Sequence, residues 1–206
     1  MNRKIILSIF TTICIIGLAA CTTAAPAIKT TSVNSNANST STLVCSAGST
    51  SASLTPELTE GPYFTANSPE RASLLEDGMK GTKLVITGYV YTTDCKPVVN
   101  ALLDFWQADA NGVYDNSGYT LRGHQYTDAN GRYQLTTVVP GIYTGRTEHI
   151  HVKVHAPNGK LITSQLFFPG VVQNDSDGIY NANLLLSTQS SSDGMQAQFN
   201  FVVPAP

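Results

Sequence analysis

Residues 83–91 read KLVITGYVY, a run of β-branched and aromatic side chains of the kind that suits a half-buried pleated strand. Five further segments have the same character: ALLDFWQ at 101–107, GRYQLTT at 131–137, HIHVKV at 149–154, LITSQLFF at 161–168 and QAQFNFVV at 196–203. Turn-forming sequences lie between them: Asp109-Ala110-Asn111-Gly112, Asp128-Ala129-Asn130-Gly131, Pro140-Gly141 and Pro157-Asn158-Gly159. Neither Asp-Ala-Asn-Gly turn continues into the regular acidic spacing of a calcium loop, so both read as hairpin turns. One short helix is predicted near residues 68–75, with Ser68 as its cap and Pro69 in its first turn. No helices of strand-connecting length alternate with the strands, which excludes a parallel α/β sheet. The pattern predicts an all-β fold, an antiparallel β-sandwich with few short helices.

The strands lie past residue 80 of a 206-residue chain that is 42% hydrophobic and 13% charged, with a formal net charge of -2. So small a charge argues against nucleic acid as a partner, because phosphate binding needs a basic surface. The N-terminus is different in kind. Arg3 and Lys4 precede an apolar stretch that ends Leu18-Ala19-Ala20-Cys21, which reads as a secretory signal over residues 1–20. That ending is similar to the lipobox of bacterial lipoproteins, in which the cysteine is lipidated after cleavage; ordinary signal cleavage, leaving Cys21 an incidental thiol, is the alternative. Acyl chains contribute roughly 0.8 kcal/mol per buried methylene, so several chains anchor a protein almost permanently. The expected product is an exported, membrane-anchored bacterial lipoprotein at the cell surface or in the periplasm, held by its N-terminal lipid.

From residue 22 to residue 52, 23 of 31 residues are Ser, Thr, Ala or Asn and Lys29 is the only charge. Such a segment cannot bury enough apolar surface to offset its ordering entropy. Residues 21–52 are therefore read as a lipid-anchored flexible tether and residues 53–206 as the globular domain. Once Cys14 is cleaved away and Cys21 lipidated, Cys45 and Cys95 remain, and an isolated pair in an oxidising compartment favours a disulfide over two independent thiols.

The chain has no GxGxxG, P-loop, GxSxG or CxxC motif, which removes support for dinucleotide, phosphate-loop and elbow-serine chemistry. The sharpest local feature is His149-Ile150-His151. On a strand, residues two apart share a face about 6.6 Å apart, close enough for both imidazoles to reach one metal. His155 shares their parity but lies too far along for the same ion, and His124 falls in a loop-like sequence with no assigned role. Taken alone, such a pair also fits a solvent-facing strand, and any further ligands must come from elsewhere.

Six segments then occur in order: Thr59-Glu60-Gly61-Pro62-Tyr63-Phe64, the run DFWQADANGVY ending at Tyr114, Leu121-Arg122-Gly123, Thr127-Asp128-Ala129-Asn130-Gly131, the run PGIYTGRTEHIH from Pro140 to His151, and Gln165-Leu166-Phe167-Phe168. Together they resemble the intradiol ring-cleavage dioxygenases, the catechol and protocatechuate dioxygenase family, over residues 53 to about 170. The resemblance implies one non-haem iron(III) per chain, held by Tyr114, Tyr143, His149 and His151. Phenolate is a hard, anionic donor, so two of them favour iron(III) over softer divalent ions. It further implies catalytic roles for Arg146, which would stabilise negative charge on the substrate, for Tyr143 as a departing ligand and base, and for Gln165. Gln165 has two readings, a hydrogen-bonding pocket residue or a plain strand-edge amide. Pro62 and Tyr63 would line the substrate pocket, while Trp106 belongs to the core.

The implied reaction joins O2 to a catechol-type substrate and opens the bond between its two hydroxylated carbons, giving a muconic acid. The chain departs from the family pattern at Ile142 and Thr144, which flank the second tyrosine, and it lacks the helical N-terminal region of the cytoplasmic enzymes. It looks more like a small secreted, lipid-anchored branch. Two other readings stand beside this one: a non-catalytic, transthyretin-like β-sandwich binding module at the surface, and a zinc or copper site using only the two histidines. Neither needs the tyrosines. The processing expectation is testable by intact mass spectrometry of the protein from a bacterial host, which should find the chain starting at Cys21 with acyl mass attached; a mature N-terminus without acyl mass would remove the anchor.

Overall fold

The computed structural model describes Cys45 and residues 50–205. The expectations for the signal, for Cys21 and for most of the tether lie outside the described residues. Within them run nine strands: β1 Lys83–Thr92, β2 Leu102–Trp106, β3 Arg122–Tyr126, β4 Arg132–Val138, β5 His149–His155, β6 Leu161–Phe167, β7 Ser187–Ser191, β8 Gly194–Gln198 and β9 Phe201–Val203. Helix is limited to two short 3₁₀ turns, Val172–Asp175 and Ala182–Leu184.

The strands form the expected two sheets. One is antiparallel throughout, in the order β3-β2-β5-β6; the other runs β4-β1-β8-β7, with β9 also paired to β1. The second sheet is mixed rather than antiparallel, because β1 pairs with β8 and β9 in parallel. The single strand predicted over 196–203 is broken in two. The main chain at Phe199 crosses so close to Gly88 that a Cβ there would lie 1.7 Å from the Phe199 carbonyl oxygen. The ladder is repaired by Asn200, whose Oδ1 accepts the Tyr89 N–H at 3.0 Å.

Alternation along each strand builds the core between the sheets. Leu84, Ile86 and Val90 of β1 meet Leu103 and Phe105 of β2, Ile150, Val152 and Val154 of β5, and Ile162 and Leu166 of β6. Each such side chain stabilises the fold by roughly 1.5–3 kcal/mol when fully buried. The outer face of the first sheet is thereby left with Trp106, His149, His151 and Gln165.

No helix forms near residues 68–75. Arg71 N–H donates to His124 O and His124 N–H to Pro69 O, while Leu74 N–H donates to Thr136 O and Thr136 N–H to Ala72 O. The segment therefore lies extended across the free edges of β3 and β4, one in each sheet, and Leu74 is fully buried. Satisfying two sheet edges outweighs a two-turn helix, which is marginal by itself. Ser68 caps no helix; its hydroxyl donates to Asp104 Oδ1 at 2.7 Å. The Asp128–Gly131 turn is tight as expected, with Asp128 Oδ1 accepting from Asn130 and Arg132 N–H. It makes no hairpin, because β3 and β4 belong to different sheets.

Cys45 and Cys95 form a disulfide, with their Cα atoms 5.4 Å apart and a sequence separation of 50. On a chain-entropy view, closing a loop of that length stabilises the fold by about 4 kcal/mol. Denaturant unfolding with and without reductant should show a loss approaching that size; unchanged midpoints would mean that the link does not constrain the unfolded chain.

Candidate metal centre

Register assembles the centre. Across the first sheet Trp106 pairs with His151 and His151 with Gln165, while His149 pairs with Phe167. The parity read from the sequence holds: His149 and His151 share the outer face of β5 and are 3% and 1% exposed. Their Nε2 atoms stand 3.2 Å apart, and Tyr114 Oη lies 3.5 Å from His149 Nε2. The Trp106 ring stacks flat on His151 with centroids 4.7 Å apart, so Trp106 is core on one side and site wall on the other.

The histidines are set up as neutral donors. His149 Nδ1 sits 2.7 Å from Thr147 O, which assigns the proton to Nδ1 and leaves the Nε2 lone pair free. His151 Nδ1 is buried without a partner. Burial, reinforced by the positive charge of Arg146, lowers the His149 pKa to about 4. Burial also pushes His151 well below its ordinary value, with His149, Arg146 and Arg122 adding to the effect. Neutral imidazole is the metal-binding form. Both phenols are raised, chiefly by burial, so only a strong cation beside them would hold them as phenolates.

Two loops supply the tyrosines. Asp109 Oδ1 accepts from Asn111 and Val113 N–H, tightening the turn before Tyr114. At Gly112 (φ +80°) a Cβ would come within 2.3 Å of Ile142 O. The missing side chain lets the Tyr114 loop press against the Tyr143 loop, bringing the two rings to 5.8 Å, edge to face. Arg122, 1% exposed, pins the arrangement from below. Its guanidinium donates to Asp115 O and to Tyr63 O, and its Cζ lies 5.9 Å from the Tyr114 ring centre. Tyr63 stacks on Tyr114 at 4.4 Å, whereas Pro62 beside it is exposed. Ile142 and Thr144, the departures from the family pattern, are both exposed.

Arg146 is held on three sides. Nε donates to Asp177 Oδ2 at 2.9 Å, Nη2 to Gln165 Oε1 at 2.5 Å and Nη1 to Tyr143 Oη at 3.4 Å. Gln165 is fully buried and also donates to Thr59 O, so its amide is engaged at both ends. Asp177 Oδ2 further accepts Thr147 N–H, and Asn174 Oδ1 accepts the Thr147 hydroxyl. Burial works against the Asp177 carboxylate, but N–H donors from Thr147 and Ile179 and the Arg146 side chain outweigh it and hold the pKa low. Sequence reasoning missed Arg122, Asn174 and Asp177 as site residues, and a lone Asp-Gly at 177–178 carries no sign of its partners.

The remaining candidates fall elsewhere. His124 lies on β3 rather than in a loop, with Nδ1 2.8 Å from Ser68 O, and His155 Nε2 is 3.0 Å from Gly159 O. A hollow of about 720 Å³ lies against the other sheet, beside Tyr89, Tyr91 and Arg132. None of Tyr114, Tyr143, His149 and His151 lines it.

Does this donor set fit a metal? Among the described residues no three His, Cys, Asp or Glu side chains stand together as a cation site, so a site here needs its phenols. Two facing imidazole Nε2 atoms and two adjacent phenol rings fit a hard cation that prefers nitrogen and phenolate oxygen.

Comparison with known proteins gives the same direction. The model of a protein family described as "Dioxygenase" matches residues 59–204. Among curated proteins, catechol 1,2-dioxygenase 2 of Acinetobacter lwoffii is 34% identical over 142 residues, covering 56% of this chain and 52% of that protein. Hydroxyquinol 1,2-dioxygenase of a Rhizobium species is 29% identical over 167 residues, covering 67% and 56%. The chain thus spans about half the length of the curated relatives it matches. Among solved structures, the dioxygenase domain of a dioxygenase and carbohydrate-binding fusion from Streptomyces sp. SirexAA-E superposes with a TM-score of 0.73 at 45% identity, over 75% of this chain and all of that one. An intradiol ring-cleavage dioxygenase from Tetranychus urticae gives 0.69 at 27% identity, over 74% and 95%. On the strength of the family match, which spans both sheets and every side chain gathered around His149 and His151, the chain belongs to the intradiol ring-cleavage dioxygenases.

Proposed function

We propose that this protein is a non-haem iron(III) dioxygenase that cleaves the carbon–carbon bond between the two hydroxylated carbons of a catechol, using O2 and giving a muconic acid-type product. The observation that carries the reading is the convergence of Tyr114 Oη, His149 Nε2 and His151 Nε2, with Tyr143 Oη set apart beside the Arg146 guanidinium. Tyr114, Tyr143, His149 and His151 would hold one iron(III). When bound, that ion supplies a hard Lewis acid able to chelate both catechol oxygens and draw electron density from the ring.

The chain's own groups then divide the work. Tyr114 is buried and wedged between Tyr63 and the histidines, which suits a group that stays put. Tyr143 is only half-buried and has a guanidinium waiting at its oxygen. Tyr143 Oη is the group that would take a proton from a catechol hydroxyl, with the Arg146 guanidinium beside it at 3.4 Å. The same guanidinium, already fixed by Asp177 and Gln165, faces the ring with its charge in place as negative charge develops there, at no cost in reorganisation. Trp106 and Tyr63 close two sides and limit water. Arg146 and Arg122 are the cations next to the phenols, the first already paired with Asp177 and the second occupied by main-chain carbonyls. With neither free for a carboxylate, a neutral catechol is the favoured substrate.

The reading extends to location: an exported lipoprotein tethered by Cys21, acting on small aromatic molecules outside the cytoplasm, with no nucleic acid partner. A surface binding module would need none of these polar groups buried together.

Purified protein loaded with ferric iron should be red-purple from tyrosinate-to-iron charge transfer. Oxygen uptake should accompany muconate formation with catechol, substituted catechols or hydroxyquinol, and be weaker with protocatechuate. A yellow semialdehyde would exclude this mechanism, and no uptake with any of them would favour the binding module. In a second experiment, metal analysis of His149→Ala, His151→Ala and Tyr143→Phe should show iron lost in the first two and partly kept in the third, with turnover lost in all. Equal iron content in the three variants would remove the distinction between fixed and departing ligands.

A further inference from the structure

We propose that Asp177 is a positioning residue for the ring-cleavage reaction: its carboxylate sets the aim of Arg146 and couples that guanidinium to the turn that carries His149. The inference rests on the dioxygenase reading above. Asp177 lies outside the six sequence segments that carry the family resemblance, on the loop after the Val172–Asp175 3₁₀ turn. Its side chain is 1% exposed and that of Arg146 13%.

The geometry is that of a clamp. A single oxygen, Oδ2, takes both Arg146 Nε and Thr147 N–H at 2.9 Å, and the other, Oδ1, takes Ile179 N–H at 2.9 Å. With Nε held by Asp177, the two Nη groups reach Gln165 Oε1 and Tyr143 Oη. An arginine anchored through Gln165 alone could still swing about its last bonds. The Thr147 contact joins this clamp to the ligand turn, since Thr147 O is the acceptor that orients His149 Nδ1. The loop is itself held down, with Asn174 Nδ2 donating to Phe168 O and Oδ1 accepting the Thr147 hydroxyl. A buried carboxylate with two main-chain donors and a paired cation is costly to assemble for stability alone, since an apolar filling is often as stable. Small errors in aiming a charge at a reacting centre can lower a rate about 100-fold.

The test is a double-mutant cycle between Asp177 and Arg146, with iron content and Tm measured on every variant. Asp177→Asn keeps an acceptor for Thr147 N–H while removing the ion pair. It should bind wild-type amounts of iron, keep the ferric charge-transfer band, and lose about 10- to 100-fold in kcat with KM within about threefold. Arg146→Met should lose more, and adding Asp177→Asn to it should change kcat by less than about twofold, because the residue acts through Arg146. An additive double mutant, an unchanged kcat in Asp177→Asn, or a loss that follows iron content would each overturn the proposal. An independent readout on metal-free protein separates it from the dioxygenase reading. The ¹⁵N relaxation of the Arg146 Nε–H group should report an ordered side chain in the wild type and a mobile one in Asp177→Asn. Equal order in both would overturn the clamp even if the wild type proved inactive.

Discussion

The two-residue period of β5 decides both the core and the site, and it can satisfy them only in one register. Ile150, Val152 and Val154 are fully buried between the sheets, and once they are committed there His149 and His151 must leave by the other face. A slip of one residue against β2 would turn both imidazoles into the apolar core and expose the valines, losing several buried side chains at roughly 1.5–3 kcal/mol each. The same register lays Trp106 on one side of His151 and Gln165 on the other. The hydrophobic pattern of the strand therefore fixes where the two imidazoles stand before any loop has been placed.

Loops bring the remaining groups, and loops need separate restraint. Two guanidiniums, one buried and one partly so, provide it in different ways. Arg122 grips main-chain carbonyls at Asp115 and Tyr63 and so holds the Tyr114 turn without any carboxylate partner among the described residues. Arg146 is itself gripped, by Asp177 and Gln165. The first fixes backbone around Tyr114; the second is a fixed charge presented to the space beside Tyr143. A lysine in either place would be a single point donor and could not span the same acceptors.

How much of this could be read from residues alone divides along the same line. β1, β2, β4, β5 and β6 announced themselves because their core faces need β-branched and aromatic side chains. β7, reading Ser-Thr-Gln-Ser-Ser, did not, since it is an edge strand with little to bury. β3 was also hidden: Arg122-Gly123-His124-Gln125-Tyr126 has no apolar face, and its buried members are held by hydrogen bonds instead. The helix predicted near residues 68–75 had correct local signals, a capping serine and an early proline, but two sheet edges 12 residues apart in sequence offered better partners. Parity placed the two histidines on one face. That they meet two tyrosines from loops about 30 residues apart came only through family resemblance, because contact between loops leaves no periodicity. Asp177 left no trace at all, as its importance lies wholly in which donors it meets.

The polar groups around His149 are also an argument about what the fold is for. His149 and His151 are almost fully buried with their Nε2 atoms 3.2 Å apart, and a buried polar group without a good partner costs about 1–3 kcal/mol. Two phenols and two imidazoles are crowded together with their charged forms disfavoured by burial. A sandwich selected only to fold, or to bind a partner at its rim, would replace such a cluster with apolar side chains and gain stability. The expense becomes reasonable if a cation completes the cluster, because it converts phenols to phenolates and uses the free nitrogen lone pairs in one step. Everything required for that lies between Thr59 and Tyr180, within the stretch that the family match covers. The donor set is assembled by the register of three strands and two well-restrained loops.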